Sequence, residues 1–187
     1  MTTAPLLTAC KGSTLAAMPG LSEVEVQTFL DEPGHLLRLA TVDAHGFPRV
    51  VPIWFIFEDD RIWFTPRLKS AWWQDLQHDR RVALTIDEDE SPYRKVALRS
   101  EVTIEFEPGQ DDEWRDLYRA IAKRYTADEF AQAYVNATIE EPRALLSVPC
   151  DVAGVTTWRM PVAGEDPAGV WADRYYHRKP DISEWVP

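Results

Sequence analysis

Apolar and polar positions alternate most regularly from Lys95 to Glu107, "KVALRSEVTIEFE". Val96, Leu98, Ser100, Val102, Ile104 and Phe106 fall on one side, and Lys95, Arg99, Glu101, Thr103 and Glu105 on the other. A period of two marks a β-strand with one face against a core, so one long strand is expected here. Upstream, "HLLRLATVDAHGFPRVVPIWFIFEDDRIWFTP" carries three β-rich runs separated by Asp43-Ala44-His45-Gly46 and Glu58-Asp59-Asp60, both of turn composition. Runs joined this way form an antiparallel meander. "RRVALTID" adds a strand rich in β-branched residues, and "RALLSVPCDVAGVTTWR" supplies one or two closing strands.

Elsewhere the pattern is helical. Ser22-Glu23-Val24-Glu25 is a capping box followed by an apolar face of Val26, Phe29 and Leu30, and the helix should stop near Pro33-Gly34. A short helix is expected from Ala71 to Gln77. Past Pro108-Gly109, Asp111 or Asp112 is placed to cap a helix in which Trp114, Leu117, Tyr118, Ile121 and Tyr125 share a face; these aromatics read as core. A second helix covers Asp128 to Ala137. Six or seven strands in short antiparallel steps, with one helix inside the series and a helical pair before the last strands, predict a small closed barrel with helical decoration. No GxGxxG or P-loop spacing occurs, so dinucleotide and nucleoside-triphosphate sites of those types are unsupported.

A chain of 187 residues, 45% hydrophobic and 27% charged, suits one main domain. That domain is placed at 21–160, between a flexible N-terminal arm (1–20) and a Pro-, Gly- and Trp-bearing C-terminal tail (161–187). Twenty basic against 31 acidic residues, a net charge of −11, argues against nucleic-acid binding. Any anionic ligand must be held locally. Cys10 and Cys150 are far apart and read as plain thiols, and the four histidines have no ligand spacing, so no metal is expected. Asp87-Glu88-Asp89-Glu90 with Ser91-Pro92 reads as a solvated loop. Leu7-Thr8-Ala9-Cys10 lacks the basic and apolar segments of a secretion signal, and no apolar run reaches membrane-spanning length, which points to a cytoplasmic protein without a membrane partner.

The stretch that departs from this acidic background is "FTPRLKSAWWQDL", Phe64 to Leu76. A strand gives way to a helix with Ser70 at its N-cap, preceded by Arg67 and Lys69. Helix N-termini offer unpaired N–H groups and partial positive charge, a guanidinium offers a fork of donors and an ammonium a point charge. The group can hold a phosphate, or Ser70 simply caps and the cations are solvated. No nucleophile, triad or paired carboxylates occur with convincing spacing, and no catalytic side chain is named.

"LATVDAHGFPRVVPIWFIFEDDRIWFTPRLKSAWWQDLQHDRRVALTIDED", continued by the two helices, "EPRALLSVP" and Thr157-Trp158-Arg159, resembles the pyridoxamine-5′-phosphate-oxidase-like split-barrel family of flavin and deazaflavin proteins. The resemblance covers roughly Leu36 to Arg159 and rests on the order of an AT…GxP hairpin, an apolar strand ending in Trp-Phe, an aromatic-Thr strand end and a basic-x-Lys-Ser turn. It implies an antiparallel split barrel and a phosphate site at Arg67, Lys69 and Ser70 with Thr65 beside it. It also implies that the strand Val51-Pro52-Ile53-Trp54 lies along the cofactor ring, and that the cofactor sits between the subunits of a homodimer, with Trp158 and Arg159 as candidate contributions from the second subunit. The cofactor is FMN or, alternatively, the deazaflavin F-420, whose acidic tail would suit a groove lined by Arg49, Arg94, Lys95 and Arg99. The implied activity is hydride transfer to or from a small planar substrate; the alternative is a non-catalytic flavin or haem binding and storage protein. Trp72-Trp73 and Asp75 depart from the family pattern: they put the phosphate charge balance in question, and the Trp pair, Trp73 in particular, either covers the cofactor or packs as core.

Overall fold

In a computed structural model the described residues are 20–165. Expectations for residues 1–19 and for the Trp171 to Trp185 tail lie outside them. Gly20 to Met160 form one compact unit. Residues 161–165 belong to a second unit and form a turn in which the Glu165 N–H donates to the Val162 carbonyl at 3.0 Å.

Among the described residues nine strands are arranged in two antiparallel sheets. The first has the order β2 (Pro48–Ile53), β1 (Leu37–Val42), β5 (Arg81–Asp87), β6 (Lys95–Glu101), β9 (Thr156–Trp158). The second has the order β3 (Ile56–Glu58), β4 (Arg61–Phe64), β8 (Leu145–Pro149), β7 (Thr103–Phe106). The antiparallel split barrel is therefore present, but the two ladders remain separate and do not form a closed barrel. The strand count exceeds six or seven for a local reason: two expected runs pass from one sheet to the other. The run at 48–58 leaves the first sheet at Ile53 and enters the second at Ile56, with Trp54 and Phe55 as the corner. The long strand from Lys95 breaks at Val102, which is buried and donates its N–H to the Arg80 carbonyl at 2.9 Å instead of continuing either ladder.

One core cluster collects Leu37, Leu39, Leu84 and Ile86 from the first sheet, Ile62, Phe64, Leu146 and Val148 from the second, and residues of α1 (Glu23–Asp31) and α2 (Ala71–His78). The capping box at α1 forms as expected: the Ser22 hydroxyl accepts from the Glu25 N–H and the Glu25 carboxylate accepts from the Ser22 N–H at 2.8 Å. A second cluster joins α3 (Arg115–Lys123) and α4 (Asp128–Ala137) to the second sheet, with Trp114, Tyr118, Ala131 and Val135 packed on Leu145, Trp63 and Phe106. Asp111 does not cap this helix through its side chain. A 3₁₀ turn, Asp111–Trp114, precedes α3, and the buried Asp111 carboxylate accepts the Gly109 N–H at 3.0 Å and the Arg143 N–H at 2.8 Å.

Edge strand β2 carries exposed Pro48, Val50 and Pro52 on one face, next to Val42 of β1. Among the described residues no helix is long and apolar enough to cross a membrane.

Candidate functional site

The corner where β2 leaves its sheet, the end of β4 and the start of α2 meet at a cavity of about 310 Å³. Pro52, Ile53 and Trp54 line it from the corner; Thr65, Arg67, Ser70 and Trp72 from the β4–α2 turn; Tyr118, Ile121 and Tyr134 from the helical pair; and Arg143 from the approach to β8. Six of the nine residues named from the sequence as cofactor-binding are thus brought together: Pro52, Ile53, Trp54, Thr65, Arg67 and Ser70. Val51 packs against the core, as the alternation along β2 requires. Trp73 is core as well, 3% exposed, whereas Trp72 lines the cavity. Adjacent helix residues point about 100° apart, so only one indole of the pair can face the cavity. Ser70 occupies the N-cap of α2, yet its hydroxyl makes no capping hydrogen bond.

Lys69 faces elsewhere. It lines a neighbouring cavity of about 290 Å³ with Leu68, Glu140, Glu141 and Pro142, and its Nζ lies 2.6 Å from Glu141 Oε1. Arg67, which borders both cavities, lies 3.2 Å from Glu141 Oε2 and donates to the Tyr134 hydroxyl at 3.1 Å. The pairing with Lys69 and the nearby Arg67 hold the Glu141 carboxyl below its ordinary range. The two cations that stand out in the sequence therefore share one of the protein's own carboxylates.

Asp75 does not disturb this corner. It is buried behind the first sheet, accepting from the Thr41 hydroxyl at 2.7 Å and from Arg49 Nε at 2.7 Å. Three of the four basic residues considered for a longer groove are engaged within the protein. Arg49 is committed to Asp75, Arg94 to Glu32 and Glu88 at 2.7 and 2.6 Å, and Lys95 lies over the Trp158 ring at 5.4 Å. Glu32, His35 and Glu88 have the proximity of metal ligands, but the Arg94 guanidinium already satisfies both carboxylates. Trp158 lies in β9, at the edge of the first sheet opposite β2.

Three groups at the cavity have no hydrogen-bond partner although their atoms are buried: Thr65 Oγ1, the Tyr118 hydroxyl, and Nε and Nη2 of Arg143. Arg143 is 5% exposed and its guanidinium lies 4.4 Å over the Tyr118 ring. Burial pushes the Tyr118 phenol up to about 12. Burial acts in the same sense on Tyr134, but the Tyr118 phenol and the Arg67 and Arg143 guanidiniums outweigh it, so this phenol sits below its ordinary value. Tyr118, Ile121, Tyr134 and Arg143 were not singled out as site residues in the sequence. The helical spacing explained Tyr118 and Ile121 as core, and Tyr134 fell within the second expected helix without a reading of its own; the one available signal for Arg143 is a cation at the head of an otherwise apolar strand.

The arrangement is a partly apolar cavity lined by aromatic rings and by buried cationic and hydroxyl donors, the make-up of a small-molecule site. The chain belongs to the pyridoxamine 5′-phosphate oxidase family, whose sequence profile matches residues 22–154. Comparison with curated protein sequences gives no match. Among solved structures it is similar to conserved hypothetical protein Rv2991 of Mycobacterium tuberculosis (20% identity, 81% of this chain and 95% of that one, TM-score 0.61). It is similar also to the haem storage protein HutZ of Vibrio cholerae (17%, 74% and 94%, TM-score 0.56) and to a FAD-binding protein of Mesorhizobium loti (16%, 75% and 96%, TM-score 0.55).

Proposed function

We propose that this protein binds a flavin-type cofactor, FMN in preference to F-420, in the Pro52–Arg143 cavity, and that it acts as an oxidoreductase on a small planar substrate. The observation that carries the reading is the set of unpartnered buried donors, Thr65 Oγ1, the Tyr118 hydroxyl and Arg143 Nε and Nη2, at a cavity also lined by Trp54 and Trp72. These residues fit the group. The donors suit a phosphate, and the aromatic and apolar walls suit a tricyclic ring whose polar edge meets backbone groups at Pro52 to Trp54. When bound, the ring supplies the hydride chemistry. The chain's own residues bind the anionic tail, orient the ring along the β2 corner and exclude water from its inner face. FMN is preferred because Arg49 and Arg94 are engaged with internal carboxylates rather than free to meet an acidic tail.

A volume of about 310 Å³ is at the low end for a site that encloses a cofactor, so a second copy completing it is part of the proposal. The exposed apolar residues Val42, Phe47 and Val50 beside Pro52 mark the face on which that copy would sit. The family fold also has a haem-storing member, but the haem-ligating side chains lining this cavity are phenols, Tyr118 and Tyr134, which makes haem the second reading.

The test is a titration of the purified protein with FMN, F-420 and haem, followed by absorbance and fluorescence. Saturable FMN binding at one equivalent per chain is expected; rapid mixing of the loaded protein with NADPH, with and without planar electron acceptors, then separates turnover from storage. Saturable binding of haem alone would replace the flavin reading with the second one.

A further inference from the structure

The sequence points to Arg67, Lys69 and Ser70 as the anion site, but the structure distributes charge differently. Lys69 is turned into the neighbouring cavity and paired with Glu141 at 2.6 Å; Arg67 shares that carboxylate at 3.2 Å. Arg143 has no such counter-ion. It is 5% exposed, and its Nε and Nη2 have no acceptor. Those two N–H groups form one edge of the guanidinium, the edge that engages two oxygens of a phosphate or carboxylate side by side.

Its placement is fixed from several directions. The backbone N–H of Arg143 donates to buried Asp111 at 2.8 Å, the next N–H, of Ala144, donates to the Pro66 carbonyl at 3.2 Å, and the Leu68 N–H donates to the Pro142 carbonyl at 2.8 Å. The Tyr118 ring lies 4.4 Å beneath the guanidinium. Thr65, at the cavity with it, also has a buried hydroxyl oxygen without a partner. A buried charge left unpaired is costly, and a rigidly held, desolvated donor edge is what a bound oxyanion requires.

We infer that Arg143, with Thr65 beside it, anchors the ligand's phosphate-type oxyanion, and that Lys69 takes no part in holding it. This rests on the proposed function for the ligand's identity, with the phosphate of FMN as the oxyanion; the anchoring role itself is testable without a flavin.

The experiment compares the full-length chain with Arg143→Gln, Thr65→Val and Lys69→Gln, using FMN, riboflavin and inorganic phosphate as probes. Riboflavin lacks only the phosphate, so the FMN-to-riboflavin affinity ratio reads the anchor alone. Losing charge-assisted hydrogen bonds should weaken FMN binding by about tenfold or more in Arg143→Gln, leave riboflavin within about threefold, and leave Lys69→Gln within about threefold for both. Thr65→Val should lower the ratio in the same direction by a smaller factor. Phosphate, against chloride at equal ionic strength, should raise the thermal midpoint of the wild type and of Lys69→Gln but not of Arg143→Gln. If Arg143→Gln fails to fold, Arg143→Lys, which keeps the charge and loses the fork, and Thr65→Val carry the comparison.

An unchanged ratio in the Arg143 and Thr65 variants, or a ratio that collapses in Lys69→Gln, overturns the assignment. If no flavin binds but phosphate still stabilises in an Arg143-dependent way, the flavin reading falls and the anchor stands. Neither flavin nor phosphate acting on the wild type overturns both.

Discussion

Tyr125 lies beneath Trp54 with ring centroids 5.1 Å apart and planes only 4° from parallel, and its hydroxyl ties two segments together: it accepts from the Phe55 N–H at 3.1 Å and donates to the His35 carbonyl at 2.8 Å. A residue just past the C-cap of helix α3 thereby fixes the corner at which the chain changes sheets and at which the cavity wall begins. Tyr125→Phe keeps the stack and leaves a backbone donor and acceptor short of a partner, a loss of about 1–3 kcal/mol. Tyr125→Ala also removes the ring and should cost about 3–5 kcal/mol. Urea unfolding of both variants checks the order, and equal losses would show that the hydroxyl does not hold the corner.

The Arg49–Asp75 pair predicts an asymmetry. Asp75 is 5% exposed while Arg49 can reach water. Arg49→Met strands a buried carboxylate with only the Thr41 hydroxyl at 2.7 Å and should lower the denaturation midpoint. Adding Asp75→Asn to that background removes the stranded charge and should recover part of the loss, measured by a double-mutant cycle in chemical denaturation.

Acid sensitivity should centre on Arg94. Its hydrogen bonds hold Glu32 and Glu88 below the ordinary carboxyl value of 4.5. A lowered folded-state value means that the unfolded chain binds protons first as pH falls, so stability decreases with acidification. The contribution is present above about pH 5 and is lost as pH drops through the depressed values, on the order of 1 kcal/mol once solvent screening of partly exposed groups is allowed for. In Arg94→Gln the unfolding free energy should fall less steeply between about pH 5 and pH 3. A slope equal to that of the wild type would remove Arg94 as the cause.

Cys150 is buried and its thiol is pushed up to about 11, chiefly by burial, with Asp151 and Asp60 adding repulsion. In a Cys10→Ser variant the single remaining thiol should react with a disulfide reagent at neutral pH only upon unfolding, since the thiolate is the nucleophile. Rapid stoichiometric labelling of the native protein would contradict this.

Association should depend on Val50, 63% exposed on the outer face of β2. On the proposed pairing of two copies across this face, Val50→Asp is expected to shift the mass measured by light scattering toward that of one chain and to weaken cofactor binding in parallel; a wild type that already runs as one chain would contradict the pairing.

What the sequence revealed follows from how locally each feature is determined. The capping box at Ser22 was readable because its partners are three residues apart. The β2 corner and the Thr65–Ser70 turn were readable as one side of a site because they lie close along the chain. The other side was not. Arg143 reaches the cavity through the antiparallel bridge with Arg67, and Tyr118 and Tyr134 through packing of the helical pair. The link from this side to the Thr65–Ser70 turn is long in sequence, 67 positions for the Arg67–Tyr134 hydrogen bond, and each side chain has an ordinary core or surface explanation in its own segment. The direction of Lys69 was hidden for the same reason: Glu141, which holds it, lies 72 residues away. The change of sheet at Val102 left no trace because the alternation runs through it without a glycine or proline.

The prolines of β2 have a consequence for how the protein behaves when concentrated. An outermost strand ordinarily offers amide donors to any extended segment that meets it, the first step of fibrillar growth. At positions 48 and 52 no amide hydrogen exists, so an incoming strand would find the ladder interrupted at both ends of this six-residue margin. Copies of the chain can meet there broadside, but extension edge to edge into an unending ribbon is disfavoured.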